Sequence, residues 1–289
     1  MRILVLGAGG QVGRAVVQSA PPRHEILART RADADLADAS AIGRLVAGSR
    51  ADWVVNAGAY TAVDLAEDEP ERAAAVNDLA VGALAAAAAK SGCRLLHLST
   101  DFVFDGRSGR AYAPSDPPSP LSVYGATKLG GERRVLAAGC SGIVLRTSWV
   151  YAAAGRNFVL TMLRLMRERE QVRVVCDQIG APTWASGLAG AVWGLIDAAA
   201  AAGIHHWTDL GVASWYDFAV AIQEEALARG LLERAAGIVP IATSEYPTRA
   251  RRPAFSVLDS SQTRAATRGA PAVHWRTNLR TMLDELRAA

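Results

Sequence analysis

Tyr124 and Lys128 lie four residues apart in Tyr-Gly-Ala-Thr-Lys, at the start of a segment of helical character, so both side chains share one helical face. A cation beside a phenol stabilises the phenolate, and such a pair can give and take a proton near neutral pH. Alone, the pattern is an ordinary surface pair. It becomes specific together with Ser99-Thr100-Asp101, which ends a strand-like run, and with Gly7-Ala-Gly-Gly-Gln-Val-Gly13, which follows the first strand and opens the first helix. Glycines at such a turn let the backbone approach a pyrophosphate, whose charge then meets the helix N-terminus. Gly7, Gly10, Gln11 and Val12 are the expected contacts.

The second strand ends in Ala28-Arg29-Thr30-Arg31, with no carboxylate where an NAD ribose would need one. Arg29 therefore favours a 2′-phosphate, and NADPH over NADH. Asp35 and Leu36, with Ala57, Gly58 and Ala59, follow strand positions and are expected to face adenine and ribose.

The elements that must position these residues alternate along the chain. Aliphatic runs at 2–6, 25–27, 53–56, 94–98, 143–146, 172–175 and 203–207 read as strands. Helical patterns at 11–19, 40–47, 70–90, 124–138, 157–169, 185–202 and 215–229 lie between them. Near-continuous apolar strands mean a sheet covered on both faces, which is the α/β class with a Rossmann-type doubly wound parallel sheet. The C-terminal edge of that sheet is where ligands bind, and all three chemical features fall there. Two stretches interrupt the rhythm. Asp105 to Ser119 is rich in Gly, Pro and Ser, a long loop of the kind that lines sites. Ser244 to Ser256 brackets arginines between prolines, as either a solvated turn or a phosphate clamp.

At roughly 150 residues per domain, 289 residues allow about two domains. With 31 basic against 28 acidic residues and no long basic run, the net charge of +3 does not describe a nucleic-acid binder. Cys93, Cys140 and Cys176 form no CxxC and have no histidine pair nearby, so neither disulfides nor a zinc site is expected. His97, inside a strand, reads as a core histidine, and His205 and His206 as structural. The N-terminus lacks a signal-peptide core, and the longest apolar stretch, Leu79 to Ala89, falls short of the roughly 20 residues of a membrane span. A cytoplasmic location with no membrane partner is expected.

The glycine loop, Asn56-Ala57, Asn77, Ser99-Thr100-Asp101 and Tyr124 to Lys128 together resemble the extended short-chain dehydrogenase/reductases that act on nucleotide sugars. Thr61 to Asp64, Ser99 to Gly106, Arg146 to Tyr151, Asp177 to Thr183 and Arg251 to Pro253 resemble the dTDP-4-dehydrorhamnose reductase family in particular. The resemblance implies reduction of a C4 ketone on a dTDP-deoxysugar by NADPH, or less favourably NADH. Tyr124 would be the proton donor, Lys128 would lower its pKa and bind the nicotinamide ribose, and Thr100 would hydrogen-bond the carbonyl oxygen. Val63, Asp64, Asp101, Phe102 and Trp149 would face the sugar, with Arg252 on the nucleotide's phosphates.

Relatives that dehydrate nucleotide sugars have a glutamate after the Thr-Asp pair, where this chain has Phe102. Members that bind Mg²⁺ at a dimer contact use carboxylates where this chain has Ala15 and Ser186, so that metal is not expected. A monomer or homodimer is compatible with the sequence. Reductases of other 4-keto-deoxysugars, and non-catalytic regulatory subunits of the same fold, share much of this pattern. The expected organisation is a dinucleotide-binding domain of residues 1–147 plus about 203–220, and a substrate lobe of 148–202 and 221–289.

Overall fold

The computed structural model describes residues 1–267 and 273–288; residue 289, the expected end of the substrate lobe, lies outside the described residues. Strands β1 (Arg2–Leu6), β2 (Glu25–Arg29), β3 (Trp53–Asn56), β4 (Arg94–Thr100), β5 (Ile143–Thr147) and β6 (Gly203–His206) form one sheet in the order β2-β1-β3-β4-β5-β6. Every pairing in it is parallel. Side chains alternate faces along a strand, and both faces of β1 are apolar. Ile3 and Val5 pack toward Leu188 and Val192, whereas Leu4 and Leu6 pack toward Ile42, Val46 and Leu84. Layers of helix on either side satisfy both faces. One layer holds α1 (Gln11–Gln18), and the other holds α2 (Ala39–Ser49) and α3 (Pro70–Ser91). The winding reverses between β1 and β3, which are hydrogen-bonded neighbours, and this opens a crevice beyond their C-terminal ends.

α3 is a single 22-residue helix interrupted by a π-helical turn at Ala75–Leu79. By length and mean hydropathy of 1.3 it could cross a membrane, but Val81, Leu84, Ala85 and Ala88 are buried against the sheet and its neighbouring helices. α4 (Val123–Ala137) begins at Ser122, whose hydroxyl caps the helix by accepting from Gly125 N. Such a cap contributes about 1 kcal/mol.

A second core lies after residue 147. α5 (Phe158–Glu168), α7 (Trp215–Leu227) and α9 (Trp275–Ala288) bury Val159, Met162, Phe218, Ile222, Leu279 and Met282 beside the paired strands Gln171–Val175 and Gly237–Ile241. The helix between these segments, α6 (Ala185–Asp197), packs instead with α1 on the sheet. α8 (Ser261–Ala266) packs on α6.

The loop 105–119 has no helix or strand of its own, but it does not line the crevice. Tyr112 turns inward, stacks on Phe104 at 4.1 Å, and its hydroxyl accepts from Arg107 N and Ser108 N while donating to Asp105 at 2.7 Å. Tyr112 also bridges to Leu258, and its carbonyl lies 3.0 Å from His206 Nδ1 at the end of β6, which pins the loop there and caps that strand.

Candidate active site

At the switch point Gly7 has φ +74, and a Cβ there would lie 2.5 Å from Gly58 N. A Cβ on Gly13 would lie 2.1 Å from the Gly7 carbonyl, so the first turn of α1 rests directly on the loop. α1 has no side-chain cap at Gly10 and no acidic residue in its first turn. Its leading N–H groups are therefore free to receive an anion, and the helix dipole favours one. The chain fits a dinucleotide pyrophosphate here. Arg29 follows at the tip of β2, where its guanidinium donates to the neighbouring Ala28 carbonyl at 2.8 Å. Thr30 donates through its N–H and hydroxyl to Asp33, which holds the Asp33 carboxyl below its usual range.

The crevice is about 1220 Å³ and runs from this end to the other features. Every candidate residue except Asp64 lines it: the glycine loop, Arg29, Asp35 and Leu36, Ala57 to Ala59, Thr100, Tyr124 and Lys128, and the remaining sugar-side residues. Thr100 ends β4, accepts from Phe102 N at 3.2 Å and donates to Asp101 at 3.0 Å. Its hydroxyl hydrogen must turn from Asp101 to serve a substrate oxygen. Burial pushes Asp101 up to about 6, against the hydrogen bonds from Ser256 and Thr100. Gly125 lets α4 rest on this turn, since a Cβ there would lie 2.2 Å from the Phe102 carbonyl, and this places Tyr124 edge-on to the Phe102 ring at 5.6 Å.

Burial pushes the Tyr124 phenol up to about 12; Thr100 opposes the shift and Asp101 adds to it. At neutral pH the phenol is protonated. Lys128, one turn along, is fully buried and pushed down to about 8 by that burial, with Glu132 opposing. Its nitrogen donates to the Leu98 carbonyl at 2.7 Å and lies 3.2 Å from His97 Nε2. In this state the lysine is directed at β4. His97 is thus part of the site's framework, bonded on its other side to Asn56. No local pattern could reveal this, because Lys128 comes 31 residues later.

The arginine turn divides. Arg252 lines the crevice and forms a bidentate pair with Asp64 at 3.0 and 2.6 Å. That guanidinium holds the Asp64 carboxyl below its usual range. Arg249 pairs with Asp68, and Arg251 is exposed. Asp64, expected on the sugar, instead fixes the arginine that faces the crevice. Trp149, at φ +47, stacks flat on Trp215 with centroids 3.5 Å apart, and both rings line the crevice. Trp215 was not among the sequence candidates; its ring neighbour Phe158 becomes visible only in the fold. Ala15 and Ser186 line a separate, smaller pocket, to which Glu285 supplies a carboxylate.

A parallel sheet wound as here, with a phosphate-ready helix N-terminus beside a buried Tyr/Lys pair, defines a Rossmann-type reductase of the extended short-chain kind. The model of the RmlD substrate binding domain matches residues 1–288, and the chain belongs to that family of oxidoreductases. It is 44% identical over 270 residues to a dTDP-4-dehydrorhamnose reductase of Burkholderia thailandensis, covering 90% of this chain and 91% of that one. The crystal structure of a dTDP-4-dehydrorhamnose reductase from Clostridium acetobutylicum superposes with a TM-score of 0.92 at 35% identity, over 99% of this chain and 100% of that one. That of Bacillus anthracis in complex with NADP gives 0.91 at 31% identity, over 98% of this chain and 99% of that one.

Proposed function

We propose that this protein reduces the C4 ketone of dTDP-4-dehydro-L-rhamnose to the alcohol of dTDP-L-rhamnose, using NADPH in preference to NADH. The observation that carries the reading is the convergence of the uncapped α1 terminus, Arg29, Thr100, Tyr124 and Lys128 on one crevice. The nicotinamide would supply hydride to C4. The chain's own part begins with Thr100, whose hydroxyl turns to the ketone oxygen and fixes its position. Tyr124, protonated because it is buried, then gives its proton to that oxygen as negative charge develops there. Lys128 holds the ribose next to the nicotinamide. Arg29 meets the 2′-phosphate, and Arg252, steadied by Asp64, meets the sugar nucleotide's phosphates. Val63, Asp101, Phe102 and Trp149 border the sugar. Phe102 stands where the dehydrating relatives carry the glutamate that eliminates water. Residues of the second core carry the sugar nucleotide against the sheet.

The experiment is NADPH oxidation with the ketosugar. Tyr124→Phe keeps the ring and removes the hydroxyl that carries the proton, so kcat is expected to fall by roughly 10²- to 10⁴-fold. An unchanged kcat in that variant overturns the role given to Tyr124. Failure of the unaltered protein to oxidise NADPH with this ketosugar overturns the substrate.

A further inference from the structure

We infer that His97 is a positioning residue that lowers the proton affinity of Lys128 in the ligand-free enzyme by favouring its amine form, through a hydrogen-bond chain anchored at the backbone of Gly58. The argument follows the direction of each hydrogen. Gly58 N–H can only donate, and it donates to Asn56 Oδ1 at 3.1 Å. The Asn56 amide is thereby oriented, and its Nδ2, which can only donate, faces His97 Nδ1 at 3.1 Å. His97 Nδ1 must accept. A neutral imidazole then carries its hydrogen on Nε2, and that hydrogen points at Lys128 Nζ, 3.2 Å away. An ammonium has no lone pair to receive it; an amine has one, and keeps a hydrogen for the Leu98 carbonyl.

The alternatives each bury facing donors. Moving the imidazole hydrogen to Nδ1 sets it against Asn56 Nδ2, and turning the amide sets Nδ2 against Gly58 N–H. Charging the imidazole sets two cations side by side, and burial already pushes His97 well below its usual range.

Among the surrounding charges, Glu132 favours the ammonium in part. On α4 itself Glu132 is one turn away, but both its oxygens are engaged: Oε1 by Ser99 and Arg146 Nε, and Oε2 by Arg146 NH2. From β5, Arg146 brings a positive charge of its own. Tyr124 is a neutral phenol. Asp101, in the turn after β4, raises the Tyr124 phenol and is bonded by Thr100. From α3, Asp78 is paired with Arg134. The chain therefore links the Ala57–Ala59 segment, which borders the proposed cofactor site, to the protonation of the active-site lysine.

The test is favoured by composition, because Lys90 and Lys128 are the only lysines in the chain. Protein labelled with ¹³C,¹⁵N-lysine gives two side-chain signals, whose titration is followed by NMR without cofactor or substrate. Lys128 is expected to titrate at least about two units below the usual lysine value of about 10.4. In ¹⁵N-histidine spectra, the His97 signal, identified by its loss in His97→Gln, is expected to show a protonated Nε2 and a bare Nδ1.

Asn56→Asp replaces the donor facing His97 by an acceptor. It is expected to move the imidazole hydrogen to Nδ1 and to raise the Lys128 titration at least tenfold in proton affinity. Lys128 titrating at the usual lysine value, or a hydrogen on His97 Nδ1 in the unaltered protein, overturns the inference. Since this inference rests on the proposed reaction only for its consequence, its failure would leave ketone reduction untouched, and loss of that activity would leave these spectra unchanged.

Discussion

Gly13→Ala is the sharpest perturbation of the cofactor end, because the collision it creates is with backbone. The new Cβ would stand 2.1 Å from the Gly7 carbonyl oxygen, where ordinary contact begins at 3.4 Å, so α1 and the loop must part by about 1.3 Å. Neither can yield alone. Gly7 sits at φ +74 against Gly58, and α1 packs on the sheet and on α6. Overpacking of this kind costs about 1–3 kcal/mol, which lowers Tm by several degrees in a protein of this size. The same displacement draws the leading N–H groups of α1 away from the pyrophosphate. Losing one charge-assisted hydrogen bond, about 1.5–3 kcal/mol, weakens NADPH roughly 10- to 150-fold. Gly9→Ala is the matched control: its Cβ would meet nothing nearer than Thr30 at 3.8 Å, and both stability and affinity should stay close to the parent. Thermal unfolding and NADPH titration by fluorescence measure both quantities. A Gly13→Ala protein with the parent's Tm and Kd would refute the reasoning, as would equal damage from the two substitutions.

Arg29→Ala should weaken NADPH about tenfold or more and leave NADH nearly unaffected; equal losses for both in a binding titration would remove Arg29 from the 2′-phosphate. Asp64→Ala and Arg252→Ala should each raise KM for the sugar nucleotide, and the double variant should be less than additive. The coupling in a double-mutant cycle should be only about 1 kcal/mol, because Asp64 is 43% exposed and solvent screens the pair. Asp209, held by burial at about 6 rather than 3.8, prefers to fold protonated. Its stabilising contribution is present below about pH 4 and is lost as pH rises through 6. Asp209→Asn should therefore stabilise the fold at pH 8 by about 1–2 kcal/mol, less than the roughly 3 kcal/mol of a two-unit shift, since the bond to Trp184 N weakens. The gain should vanish near pH 4 in denaturant titrations; a gain independent of pH would contradict it.

The six sheet strands and the helices over them were legible because each strand is a run of four to seven residues set between segments of helical period. The elements missed lack that signal. Ile179–Gly180 and Thr183–Trp184 are two residues long, and Gly237–Ile241 contains Pro240, which a strand tolerates only at an edge such as this two-stranded ribbon provides. α9 did carry a signal, in the apolar spacing of Trp275, Leu279, Met282 and Leu283, diluted by the arginines of its outer face. In the site, the glycine loop and the Tyr/Lys pair are local patterns and could be read directly. Side chains that meet across the fold could not: the Asp64–Arg252 pair is separated by 188 residues, and the Asn56–His97–Lys128 chain joins two strands and a helix. The loop 105–119 looked like a site lining by composition, and only the inward turn of Tyr112 shows it to be a cap.

The central claim, hydride delivery to C4 of the ketosugar in this crevice, is tested most directly by tracing the hydrogen. NADPH deuterated on either face of nicotinamide C4 is incubated with dTDP-4-dehydro-L-rhamnose and the protein, and the product sugar is analysed by mass spectrometry and NMR. Deuterium at C4 of dTDP-L-rhamnose, from one face only, is the predicted result. NADPH consumed with no deuterium in the sugar, or label at any other carbon, would contradict the account.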